Sequence, residues 1–295
     1  MKLASLDLGG RDGRLALVSR DLTRAVLATG IADTMQQALD DWVALSPALS
    51  ALSDALNAGN AADAFGFDPG QALAPLPRAW QWLDGSAFHA HGDLMAKVFG
   101  IQNPQMDKPL MYQGMSHRFI GPTVPVPFPT EEDGIDFEGE FAVVTGEVPM
   151  GTDADTARDH VRLILLVNDW SLRVTGRAEM ATGFGWVQAK PACSAAPIAV
   201  TPDELGAAWA DARVHLDLRV DLNGRRFGAA NGGAMGFCFG QLIAHAARTR
   251  DLCAGTIIGS GTVSNENYRE VGSSCIAERR GIEMLDEGAA RTSFL

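Results

Sequence analysis

Residues 134–144, GIDFEGEFAVV, constrain the fold more than any other stretch of this chain. Side chains alternate along a strand, so Ile135, Phe137, Phe141 and Val143 can be buried beside their neighbours only if both faces of the strand are largely covered. Glu138 and Glu140 then point the same way, roughly 6.7 Å apart at about 3.3 Å per residue. Two carboxylates side by side in an apolar strand repel each other and cost desolvation. A divalent cation between them removes both penalties. From these residues alone the pair reads either as a solvated strand face or as half of an oxygen-ligand metal site.

With 295 residues, the chain is long enough for one large domain and a small one, at about 150 residues per domain. A net charge of −12 with no compensating basic stripe argues against a nucleic-acid partner. No apolar run reaches the ~18 residues of a membrane span. The acid at Asp7 comes too early for a signal peptide. Cys193, Cys238, Cys253 and Cys275 lack CxxC spacing and read as reduced, mostly buried thiols, consistent with a cytoplasmic protein.

Residues 2–19 read as a hairpin around a Gly-rich turn, followed by an amphipathic helix from Thr34 to Leu45. Ser46-Pro47 supplies an N-cap and first-turn proline for a second helix ending near Gly59. A Gly/Pro-rich linker places a boundary near residue 74, giving a small α+β unit over 1–74 and a strand-dominated unit over 75–295. In the larger unit, the prolines of 122–129 exclude a central strand. Residues 156–167 read as a helix, Val214 to Gly228 as a hairpin turning at Asn223-Gly224, 239–248 as a helix, and 256–263 as a Gly-rich strand.

Several polar residues stand in apolar or aromatic settings. Asp169, in Asn168-Asp169-Trp170, would close the helix of 156–167; a carboxylate there opposes the dipole by about 0.3–1 kcal/mol unless a cation reverses the sign or solvent covers it. Asp84 lies among Trp80, Trp82 and Leu83. His91 follows at a loop–helix junction, as a satisfied histidine or a functional one. Lys190, in WVQAKP, reads as an anion holder or as a snorkelling surface lysine. The segment GSGTVS at 259–264 lacks a phosphate-loop lysine, so no nucleotide site is read there.

Taken in order, Asp84 with His91 seven residues on, Glu138-Gly139-Glu140, Asn168-Asp169-Trp170-Ser171-Leu172-Arg173, Lys190, and Gly261-Thr262-Val263-Ser264 resemble the fumarylacetoacetate hydrolase family over residues 75–285. The resemblance implies an α+β fold: a mixed β-sandwich or β-roll of the fumarylacetoacetase C-terminal type behind a small N-terminal domain. It also implies metal ligands at Asp84, Glu138, Glu140 and Asp169. Four carboxylates suit Mg²⁺, Ca²⁺ or Mn²⁺ rather than Zn²⁺ or Cu²⁺. His91 falls on the general base, Arg173 and Lys190 on groups holding substrate carboxylate and developing charge, Tyr112 on a substrate contact, and Thr262 on a hydroxyl near the cleaved bond. The glutamate that orients the histidine falls at Ile276 in direct register and at Glu278 with a two-residue bulge. Gly176 replaces an expected glutamine, and family members continue with strands beyond the length reached at Leu295, which would leave a sheet edge exposed.

The implied activity is metal-dependent C–C hydrolysis of a 1,3-diketo acid, fumarylacetoacetate or an acylpyruvate, as in aromatic amino acid catabolism. The implied assembly is a homodimer with no membrane or nucleic-acid partner. Two other readings remain: a decarboxylase or isomerase of a 2-keto or hydroxy-dienoic diacid on the same metal site, and a non-catalytic homologue.

Overall fold

The computed structural model describes residues 1–100 and 107–295. The N-terminal hairpin forms as expected: β1 (Lys2–Leu6) and β2 (Arg14–Val18) pair antiparallel, and β3 (Arg24–Leu27) adds to β2. The stretch after Thr34 divides at Asp41 into α1 (Met35–Asp40), capped by the Thr34 hydroxyl, and α2 (Trp42–Asn57). Ser46-Pro47 does not begin a helix, because α2 starts at Trp42 and runs through Pro47. Trp42, Leu45, Leu49, Leu52 and Leu56 make one stripe packed on the core, and the carbonyl that Pro47 leaves unpaired belongs to exposed Val43. β4 (Phe65–Gly66) pairs with β3.

Next come β5 (Trp82–Ser86), α3 (His89–Phe99), β6 (Leu110–Gly114), β7 (Ile135–Asp136) and β8 (Gly139–Thr145). The largest departure from expectation follows. The segment 156–167 is not a helix: α4 covers only Ala154–Ala157, a 3₁₀ turn spans Arg158–His160, and β9 runs Val161–Asn168. A strand buried on both faces loses its alternation and looks like a buried helix to any reading of periodicity. Asp169 therefore follows a strand, and the dipole argument does not apply to it.

β10 (Ser171–Leu172), α5 (Arg173–Thr182), β11 (Ser194–Ala195), β12 (Ala199–Val200), β13 (Trp209–Ala210) and β14 (Arg213–Val214) lead to the expected hairpin of β15 (Asp217–Leu222) and β16 (Arg225–Asn231). Asn223 and Gly224 both take positive φ, 51° and 74°, as a type I′ turn requires. α6 (Phe239–Ala246), β17 (Ile257–Gly259), α7 (Tyr268–Val271) and α8 (Ile276–Glu287) complete the described elements. β17 is shorter than the strand expected over 256–263, because Gly261 turns the chain at φ 74°.

Among the described residues one eleven-stranded sheet runs β4-β3-β2-β1-β12-β9-β8-β17-β5-β6, with β11 also on β9. The β17–β5 pair is parallel, and β17–β8 and β8–β9 are antiparallel. The sheet passes unbroken from the N-terminal hairpin into the larger unit. One core cluster likewise joins Leu3, Leu15, Met35 and Leu49 to Trp82, Leu163 and Ile257. On the opposite face Leu83, Phe141, Val143, Phe239 and Ile258 form a second cluster. Adjacent residues such as Trp82/Leu83 and Ile257/Ile258 divide between the two, so both faces are covered, as the 134–144 segment demands. No helix among the described residues is long and apolar enough to cross a membrane.

Candidate metal centre

Strand register assembles the acidic cluster. Asp84 on β5 lies opposite Gly259 of β17, which in turn lies opposite Ala142 of β8, two residues past Glu140. On the other side of β8, Gly139 pairs with Asn168, so the chain leaves β9 at Asp169 beside Glu138. The Asp169 amide donates to the Glu138 carbonyl at 3.0 Å, and the Asn168 side chain accepts from the Glu138 amide at 3.1 Å. Four residues from three places in the sequence thus present carboxylate oxygens within 4.8 Å of one another, all buried. Gly259 makes this possible: a Cβ there would collide with Asp84 Oδ1 and Trp82 and sit 2.8 Å from Glu140 Oε2.

The cluster is electrostatically unequal. Lys190 is buried and all three of its ammonium protons have acceptors: Glu138 Oε2 at 2.8 Å, Asp169 Oδ2 at 2.7 Å and Ser171 Oγ at 2.7 Å. Arg173 reaches Glu138 Oε1 at 2.6 Å and Asp136 Oδ2 at 2.7 Å. Burial acts to raise the Glu138 carboxyl, but Lys190 and Arg173 outweigh it and hold Glu138 below the ordinary glutamate range. Asp84 and Glu140 go the other way. Burial, and then the charge of Asp169 on Asp84 and of Asp84 on Glu140, push both well above the carboxylate range. Both Glu140 oxygens are buried with no hydrogen-bond donor. An orphaned carboxylate amid three more is a donor set that fits a hard divalent cation.

The remaining candidates surround the cluster. The Tyr112 hydroxyl, on β6 opposite Asp84, donates to Asp169 Oδ2 at 2.7 Å. The Tyr112 ring and that of Trp186 meet edge to face, and Lys190 Nζ stands 5.3 Å and 5.6 Å from their centroids. His91, in the first turn of α3, has Nδ1 3.3 Å from Glu278 Oε1. Glu278, in the first turn of α8, is fully buried and accepts at 2.5 Å from the Ser264 hydroxyl. It is thus Glu278, and not Ile276, that stands at the histidine. Thr262 is buried, next to Gly261, whose amide donates to Asp84 Oδ1 at 3.1 Å. Lys190 and Arg173, expected at the substrate, spend their described hydrogen bonds on the carboxylates and on Ser171.

Sequence reasoning missed Asp136, Ser171, Cys193 and Glu179. Cys193 Sγ lies 3.1 Å from Asp169 Oδ1, and burial pushes its thiol pKa up. Asp136 was visible as the third acid in the i, i+2, i+4 series with Glu138 and Glu140. Glu179 on α5 accepts from the amides of Val187, Gln188 and Ala189 at 2.8–3.1 Å, pinning the turn that delivers Trp186 and Lys190. Nothing in the sequence pattern announces that clamp.

Residues 81–288 match the family described as fumarylacetoacetate (FAA) hydrolase C-terminal, and residues 1–78 match fumarylacetoacetase N-terminal domain 2. A 2,4-didehydro-3-deoxy-L-rhamnonate hydrolase from a Sphingomonas species is 31% identical over 162 residues, 54% of each chain. The mitochondrial oxaloacetate tautomerase fahd2 of Xenopus laevis is 26% identical over 167 residues, 54% of this chain and 49% of its own. The chain spans about half the length of these two curated relatives. Among solved structures, maleylpyruvate hydrolase from Sphingobium sp. SYK-6, in complex with manganese(II) and pyruvate, superposes with a TM-score of 0.65 at 21% identity, covering 93% of this chain and 90% of that one. At that identity the likeness speaks to the fold.

Proposed function

Because the chain belongs to the fumarylacetoacetate hydrolase family, we propose that it is a divalent-metal-dependent hydrolase that cleaves a carbon–carbon bond in an acylpyruvate-type 1,3-diketo acid. The observation that carries this reading is the His91–Glu278 pair, 3.3 Å apart and near enough to the four-carboxylate cluster for His91 to act on Glu138. A divalent cation held by Asp84, Glu138, Glu140 and Asp169 would supply Lewis-acid polarisation of the keto oxygens. Mg²⁺ or Mn²⁺ suits the set best, and the maleylpyruvate hydrolase of the same fold was solved with manganese(II).

Glu278 accepts from Nδ1–H of His91 and so leaves Nε2 free to take a proton from water. The Ser264 hydroxyl holds the other side of the pair by donating to the same oxygen. Water adds to one carbonyl carbon, the bond to the neighbouring carbon breaks, and the departing fragment leaves as an enolate. The fixed positive charges of Lys190 and Arg173 favour that developing anion, while their hydrogen bonds keep Glu138 ionised. Tyr112 and Trp186, whose rings meet edge to face, would orient the acid, with Thr262 as a hydroxyl contact.

Purified protein with Mn²⁺ or Mg²⁺, maleylpyruvate and a panel of acylpyruvates tests this by loss of the enol absorbance with and without EDTA. Metal-dependent loss that yields two acids is the expected result. The tautomerase among the relatives supports a second reading, proton transfer at carbon on the same site. An isomer of the starting acid in place of two acids would replace the hydrolase reading with that one, and CO₂ would replace it with decarboxylation.

A further inference from the structure

Asp136 is fully buried and both its oxygens are taken. Oδ1 accepts from the Ile276 amide at 2.7 Å. Oδ2 accepts from the Ala277 amide at 2.9 Å and from Arg173 Nε at 2.7 Å. Ile276 and Ala277 are the first two residues of α8, and the next residue is Glu278. One carboxylate thus grips the start of the helix that carries the histidine's partner and also the guanidinium that holds Glu138. The register explains why. Asp136 on β7 lies opposite Ser171 of β10, so Arg173 begins two residues beyond the pairing. The chain just beyond β7 also meets the approach to α8, through the Glu138–Cys275 bridge and a 2.9 Å bond from the Gly139 amide to the Ser274 carbonyl. A carboxylate at the first turn also suits the helix dipole.

We propose that Asp136 is a positioning residue that couples the acid–base pair to the metal cluster: by fixing the first turn of α8 it sets the Glu278–His91 contact, and by fixing Arg173 it sets Glu138. The proposal rests on the reading of His91 as the base. Asp136 is fully buried and its described partners are all groups of the protein, so its role is to position and not to touch substrate. Asp136→Asn keeps the shape but turns a donor toward one of three donors, so one grip on α8 or Arg173 must fail.

The test compares wild type and Asp136→Asn by two readouts. The first is the protonation of the His91 ring nitrogens by ¹H–¹⁵N correlation, with the His91 signal identified by its absence in His91→Gln. The second is the split between kcat and KM. With folding verified by circular dichroism, the expected result is a protonated Nδ1 in the wild type and a mixture of tautomers in Asp136→Asn. A kcat lower by about 10–100-fold at little-changed KM should accompany it, the range typical for outer partners of a metal site. Asp136→Asn should also cause a smaller loss of kcat on top of Glu278→Gln than it causes alone, because its grip on α8 then has no partner of His91 left to position. A His91 tautomer identical in the two proteins overturns the proposal, as does full additivity with Glu278→Gln. If the wild type turns over no acid, the functional reading falls, while the tautomer comparison still decides the positioning role. Should Asp136→Asn not fold, Ile276→Pro gives the same readout. It removes one amide donor at a first-turn position that accepts proline and follows extended Cys275.

Discussion

His91 and Glu140 separate two tasks that a single loss of activity would confound. His91 pairs with Glu278 and is not one of the four clustered carboxylates, so His91→Ala should lower kcat by about 10²–10⁴-fold while metal stoichiometry by equilibrium dialysis stays as in wild type. Retained turnover would remove His91 from its role. Glu140→Gln should bind less metal, because its two oxygens have no other partner to satisfy; unchanged stoichiometry would remove it as a ligand. The same carboxyls set a pH dependence in chelated protein. Asp84 and Glu140 are raised in the folded state, so that state keeps protons the unfolded chain has released. Their contribution to stability is therefore present below the unfolded values near about 4 and is lost as pH rises through the folded ones. Glu138, lowered, works in the opposite sense, adding stability above its unfolded value and losing it as pH falls through its folded one. With EDTA present, the melting temperature should fall between pH 5 and 8 more steeply in wild type than in Glu140→Gln. An equal slope in the two would contradict the assignment.

Among the elements, β17 and α5 carry the most consequence for the site. β17 is three residues long, yet it separates the strands of Asp84 and Glu140, and its last residue must be glycine for both carboxylates to approach. Gly259→Ala should cost about 1–3 kcal/mol of stability from overpacking and weaken metal affinity roughly 10–100-fold, measured by calorimetric titration with Mn²⁺. Undiminished affinity would show that the carboxylates have room to spare. α5 ends at Gly183, and the turn beyond it is tied back by Glu179. Glu179→Ala should raise KM with a smaller change in kcat and shift Trp186 fluorescence. A change confined to kcat would place the defect at the acid–base pair instead. These elements were unevenly legible. The glycines of 259–264 were visible, but their purpose was not, because a glycine's need for space depends on which strands flank it. The segment 156–167 was misread because burial on both faces erases the period that distinguishes strand from helix.

For the whole molecule, the metal is the main external stabiliser the site can accept. Saturating Mn²⁺ at about 100 Kd adds about 2.7 kcal/mol, which at roughly 2–4 °C per kcal/mol raises the melting temperature several degrees; absence of any shift would deny the cluster its cation. The unbroken sheet from β4 to β6 and the core shared by Leu15, Leu49, Trp82 and Ile257 make that shift a property of both halves together. The four carboxylates and His91 were singled out by the family resemblance, whereas local patterns in the sequence determined the N-terminal hairpin, the Asn223-Gly224 turn and the two-sided burial of 134–144. Those signals lie within a few residues of one another, where backbone geometry alone decides which side chains share a face. Only the tertiary structure decided that Glu278 meets His91, that Lys190 and Arg173 turn toward carboxylates, and that Asp136 bridges α8 to Arg173. Each of these contacts joins segments far apart in the chain, and which of many possible partners meet is set by strand register and helix docking, energies that belong to the assembled sheet and not to any segment of it.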